Sequence, residues 1–199
     1  MRAEQVPVNS FLPPIETEGE ASFRSQDEVL DRALALLAVA GKGEGAPEEA
    51  LTLYVDRFDV TPKMSAAERH FWADPSPSLE TRIQFSWRYE ALLALLWALG
   101  YVVELGKPFG KVDPSALGLL IFSAGPEGFR DGATLRPQAK LLDEADLVYR
   151  YHDAVRSALG RGERAPAGLD LDVLVERKHA LRWLIGYGGA DWDEVSAAP

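Results

Sequence analysis

The stretch Gln84-Phe85-Ser86-Trp87-Arg88-Tyr89-Glu90-Ala91-Leu92-Leu93-Ala94-Leu95-Leu96-Trp97-Ala98-Leu99-Gly100 decides the fold. Its second half is apolar at every helical position, and a helix without a polar face must be surrounded by other helices. Its first half carries Gln84, Ser86, Arg88 and Glu90, polar groups that such a place holds only when each has a partner. At ~100° per residue, Arg82, Ser86 and Glu90 form one row and Gln84 and Arg88 another, nearly opposite. Phe85, Tyr89, Leu92, Leu96 and Leu99 fill the wide face between them, and Ala91, Ala94 and Ala98 offer a small face for close approach. With Ser78 as N-cap, the pattern predicts one long buried helix over residues 79–100.

The flanking chain reads as helices joined by glycine and proline. Ser25 and Glu28 form a capping box before Val29, Leu30, Ala33, Leu34 and Leu37, and Gly41, Gly43 and Gly45 end that helix. A second helix is predicted over 47–58, and a short one from the Ser65/Glu68 box to Trp72, before the turn Asp74-Pro75-Ser76-Pro77. Asp113-Pro114 reads as N-cap and first turn of a short helix. The run 117–122 fits helix or strand equally, and 125–134 reads as loop. Arg136-Pro137 opens a long helix to about Leu159, and a last helix spans 170–185. The fold class is therefore all-α: a single-domain bundle, residues 24–195, around the buried central helix. Residues 1–23, with Pro7, Pro13 and Pro14, read as an extended arm that lies on the domain or reaches a neighbouring subunit, or equally as a disordered tail. Residues 196–199 are a short tail.

Composition narrows the function classes. The chain has 199 residues, 31 acids against 21 bases, and a net charge of -10. That acidic balance repels phosphate backbones, and no basic run offsets it, so nucleic acid is excluded as a partner. With 0 cysteines, disulfides, thiolate metal sites and cysteine nucleophiles are excluded together. No apolar leader or membrane-length run occurs, and the expected location is the cytoplasm. No phosphate-binding loop, nucleophile elbow or dinucleotide fingerprint is present, and no cofactor is implied.

Three helices supply candidate site residues. Arg88 and Glu90 either reach a ligand or form a buried pair that fixes helix register. On the second long helix, His152 falls within the apolar stripe Leu141, Ala145, Val148 and Val155, one turn from Tyr149. The last helix and the turn after it place Asp172, Glu176, His179, Trp183 and Tyr187 in one row, with Trp192 beyond. Glu176-x-x-His179 has the spacing of bundle carboxylate metal sites, but one copy without two further glutamates is a weak metal signal.

Several blocks occur together: Arg24-Ser25-x-x-Glu28-Val29, Gln84 to Leu92 with Trp97-Ala98-Leu99-Gly100, Leu135-Arg136-Pro137, Asp146-Leu147-x-Tyr149-Arg150-x-His152, and Trp183-Leu184-Ile185-Gly186-Tyr187 with Asp191-Trp192-Asp193. In order and content they resemble the bacterial "domain of unknown function 4272" family over residues 24–195. The resemblance implies a helical, soluble unit and brings no activity, cofactor or catalytic residue with it. Asp153 stands where the resemblance leads one to expect an aromatic.

Two functional readings follow. The first is a binding module that engages a protein partner through its acidic surface or an exposed C-terminal aromatic turn carrying Tyr187 and Trp192. The alternative is a small-ligand binder or enzyme with one polar pocket between the three long helices. Arg88, Glu90, Tyr149, His152, Glu176 and His179 would line it, with Asp191-Trp192-Asp193 as a lid.

Overall fold

A computed structural model describes residue 1 and residues 4–195; the tail 196–199 lies outside the described residues. The helices are α1 (Gln26–Glu44), α2 (Glu48–Phe58), α3 (Ala66–Ala73), α4 (Leu79–Ser86), α5 (Arg88–Ala98), α6 (Pro114–Asp131), α7 (Gln138–Gly160) and α8 (Leu171–Leu184). No strand occurs among the described residues. The fold is all-α, and the run 117–122 is helix.

The expected central helix is two helices. The chain tightens at Trp87, whose amide bonds Gln84 O at 3.3 Å and whose carbonyl accepts from Glu90 N at 2.9 Å. Both are three-residue spacings in place of the α-helical four. The break lets the two halves take different environments. α4 lies at the surface, with Leu79 and Ile83 exposed, whereas α5 is buried from Tyr89 to Ala98. α5 packs between α1 and α8, α7 covers α8, and α2, α3 and α6 flank α1. The core centre is thus shared by α1, with Val29, Ala33, Leu36 and Val39 fully buried, and α5, with Leu92, Leu95 and Leu96 fully buried.

α1 reaches this position because it does not stop at its first glycines. It runs through Gly41 and Gly43 to its left-handed cap at Gly45. A Cβ at Gly43 would stand 2.6 Å from Ser86 N and 2.7 Å from Arg82 O. That glycine is where α1 crosses the α4–α5 junction backbone to backbone. α6 also differs from expectation. The chain turns left-handed at Gly125 and resumes helix through Pro126, so most of the expected loop is a second helical segment.

Helix ends are tied down by basic side chains from elsewhere, which supply donors to carbonyls that a helix leaves unpaired. Lys42 Nζ donates to Phe71 O, Trp72 O and Asp74 O at the end of α3. Arg136 donates to Trp97 O, Val102 O and Val103 O beyond α5. Arg24 donates to Trp183 O and Ala190 O at the end of α8. The N-terminal arm is extended and lies on the helices. Ser22 N and Arg24 N bond Ile185 O and Leu184 O, Asn9 donates to Asp153 at 3.2 Å, and Glu4 bonds both Lys107 and Tyr151.

Candidate functional site

The two polar rows of the opening stretch lead to different places. Glu90 is fully buried and accepts from Arg177 Nε at 3.0 Å and from the Val112 amide. Arg177, itself buried, donates onward to Gly106 O at 2.8 Å. This chain joins α5 to α8 and pins both ends of the 106–112 loop. Glu90, expected either to reach a ligand or to form a buried pair, is fully buried and paired with Arg177. Ser86 donates to Ile83 O and receives Lys111.

Arg88 opens on a cleft of about 430 Å³ lined by Gln84, Phe85, Trp87, Asp172, Val175 and Glu176. Its guanidinium holds Glu176 at 3.0 and 3.3 Å. Burial pushes the Glu176 carboxyl up, and the Arg88 charge opposes that. One turn along α8, His179 meets the C-terminal turn. Its ring meets Trp192 edge-on at 4.4 Å, and it hydrogen-bonds the Trp192 backbone. Burial, then the Arg88 charge, pushes the imidazole down to about 3. Its Nε2 is buried with no hydrogen-bond partner among the described residues. Arg88 thus reaches both residues, bonding Glu176 and lying over the Trp192 ring that His179 meets, and no group of three or more His, Asp or Glu among the described residues is placed to hold a metal.

Trp192 is not an exposed docking residue. It is 4% exposed, edge-on to Trp183 at 5.5 Å, with Arg32 and Arg88 over its ring at 5.0 and 5.7 Å. The tail folds inward because Asp193 accepts from Ala67 N at 2.9 Å at the start of α3, where a carboxylate meets free amides and the positive helix end. Beneath it, Arg32 pairs with Glu68 in a second buried ion pair.

The third cluster sits under the arm. A cleft of about 520 Å³ is lined by Pro13, Pro14, Ile15, Glu16 and Glu20 of the arm, Ala145 and Tyr149 of α7, Lys178, Leu181 and Arg182 of α8, and Tyr187. A smaller neighbouring cleft of about 260 Å³ shares Tyr149 and adds His152, Asp153 and Arg156. Lys178 Nζ lies 3.2 Å from His152 Nδ1. Arg182 stacks over Tyr187 at 4.5 Å and Tyr149 at 5.4 Å. Lys178 is pushed down to about 8 by burial and then by the charges of Arg182 and Arg156. His152 is pushed down to about 4 by burial and then by the Lys178 charge, and so is neutral near pH 7.

The nine sequence candidates therefore do not share one pocket. Glu90 is in a core ion pair, and Arg88 with Glu176 lines one cleft. His179, Trp183 and Trp192 form an aromatic cluster, Tyr149 and Tyr187 line the arm cleft, and His152 lines the smaller cleft beside it. The sequence reading missed Lys178 and Arg182. Their i, i+4 spacing on α8 was visible, but the partner face from α7 and the arm was not.

The chain matches the model of the family described as Domain of unknown function (DUF4272) over residues 1–195, and it belongs to that family. Neither a curated protein nor a solved structure matches it.

Proposed function

We propose that this family member binds a small anionic ligand in the cleft between the arm, α7, α8 and the turn at Tyr187. The observation that carries the reading is the placement of Lys178 and Arg182, one turn apart and 3% and 7% exposed, in the wall of a cleft with two tyrosines. An ammonium and a guanidinium on neighbouring turns offer an anion charge-assisted donors at two points. The tyrosine hydroxyls add directional hydrogen bonds, and the half-buried rings give stacking surface. The cleft also holds the arm carboxylates Glu16 and Glu20, opposite the two cations of α8. The interaction-module reading keeps Tyr187 at 38% exposure but loses Trp192 to the core.

A bacterial cytoplasmic setting belongs to the same proposal and fits the absence of cysteine. No helix among the described residues is long and apolar enough to cross a membrane.

The test is thermal unfolding and titration calorimetry with inorganic phosphate, oxalate and succinate as probes. A binding anion at a hundred times its Kd stabilises by about 2.7 kcal/mol, and Lys178→Met with Arg182→Gln removes the effect. Equal responses of wild type and double variant, or no response to any probe, would refute the reading.

A further inference from the structure

A separate cleft of about 440 Å³ shares no lining residue with the one under the arm. It lies between α7 and the loop 103–108, with Trp97 of α5 and Arg177 of α8 reaching it. On α7, Glu144, Leu147, Val148 and Tyr151 share one helical stripe. Glu144 interrupts the apolar part of that stripe. It is half-buried and makes no hydrogen bond or ion pair among the described residues.

The cations near Glu144 are engaged by other groups. Arg177 gives Nε to Glu90 at 3.0 Å and a second nitrogen to Gly106 O at 2.8 Å. Lys107 holds Glu4 and the Tyr151 hydroxyl. Arg136 donates to three backbone carbonyls and lies over the Trp97 ring at 5.0 Å. Glu90 and Glu4 thus answer Arg177 and Lys107. Arg136 remains against Glu144, the neighbouring Asp143, and Glu104 at the exposed edge, so the excess charge is negative.

We propose that this cleft binds a small organic ammonium ion, its charge on the Glu144 carboxylate and its carbon stem along Leu105, Leu147 and Val148. A carboxylate drawn out of water without a partner is costly. An ammonium supplies the missing donors and the counter-charge together. The apolar wall selects a cation with a carbon stem, and one carboxylate offers too few oxygens for a calcium or magnesium ion. The volume is in the range of small-molecule sites. Burial pushes the Glu144 carboxyl up in spite of Arg177, Lys107 and Arg136, and Asp143 adds to the rise. The three cations therefore do not replace the hydration that this carboxylate loses. The site stands apart from the anion reading of the arm cleft and does not depend on it.

The experiment is titration calorimetry of the full chain with n-butylammonium chloride, with butanol and sodium butyrate as controls of the same stem. Wild type is expected to bind the ammonium and neither control. Glu144→Gln is expected to weaken binding about tenfold or more, the effect of one lost charge-assisted hydrogen bond. Glu80→Gln, at an exposed acid of α4, should leave the affinity unchanged. The ligand takes the ionised carboxylate, so wild-type affinity should weaken as pH falls toward the ordinary glutamate range of about 4.3. Glu144→Gln should lack that slope, and it should unfold at the wild-type temperature or above, because no internal partner is lost. No binding by wild type, equal binding of butanol or butyrate, or an equal loss in Glu80→Gln overturns the proposal. So does full affinity in Glu144→Gln, a pH slope that the variant retains, or a midpoint of that variant well below wild type, which would reveal an internal partner for the carboxylate.

Discussion

Removing one member of the Glu90–Arg177 pair should be among the most damaging single changes in this protein. Glu90 is 0% and Arg177 3% exposed, with the carboxylate held by the guanidinium at 3.0 Å and by the Val112 amide. In Glu90→Leu the guanidinium stays buried without its counter-charge, and Val112 N–H loses its acceptor. Breaking a buried pair from one side costs about 3–5 kcal/mol. At roughly 2–4 °C per kcal/mol for a chain of this size, the midpoint falls by roughly 6–20 °C. Arg177→Met should cost a similar amount, because it strands the carboxylate. The double variant should recover most of the loss, since two apolar residues of matching volume replace both charges. Urea unfolding of the four species gives the coupling energy directly. Hydrogen exchange at Val112 reports whether the loop is released, and it should accelerate whenever Glu90 is replaced. Single variants that each cost under about 1 kcal/mol, or a double variant that is simply additive, would show that the pair behaves like a surface bridge and that the register argument is wrong.

Three other outcomes can be checked. Both His179 and His152 have imidazoles pushed down, to about 3 and about 4. The unfolded chain therefore binds more protons between those values and the ordinary histidine range, and stability should be fully present above pH about 6.5 and decline as pH falls toward 4. His179→Phe, which keeps the ring against Trp192, should flatten that decline in chemical denaturation measured across the window. Gly186→Ala would place a Cβ 2.1 Å from Ser22 O at a backbone φ of +70. It should destabilise by more than about 1 kcal/mol and raise proteolysis of the arm, seen by limited digestion. Trp192→Ala should cost about 3–5 kcal/mol in urea unfolding; a cost near zero would contradict its burial.

The helices were legible in the sequence because their signals are local. Ser25/Glu28 and Ser65/Glu68 both form the capping boxes they spell, Ser78, Asp113 and Asp170 all cap as N-terminal residues, and the apolar run 91–99 is buried. Errors came where two local signals compete or where distance decides. Gly41 and Gly43 look like a helix stop, yet α1 continues because only glycine lets it cross the α4–α5 backbone so closely. Trp87 carries no breaker signal, and the tightened turn there separates a surface helix from a core helix, a difference that neighbours impose.

The same division applies to the site. Sequence named the candidate residues, Arg88, Glu90, Tyr149, His152, Glu176, His179, Trp183, Tyr187 and Trp192, and left open a buried pair at Glu90. Which of them meet is a matter of rotation between helices, and a helical wheel has no information about its neighbour. Only packing turns Glu176 toward Arg88 and His179 toward Trp192, and only the arm's path closes a cleft over Lys178. Local spacing thus determined that the opening stretch, Gln84 to Gly100, must be helical and must find polar partners. Tertiary structure decided that it breaks into two helices at Trp87, gives Glu90 to Arg177 and Arg88 to Glu176, and leaves Lys178 and Arg182 to the cleft under the arm.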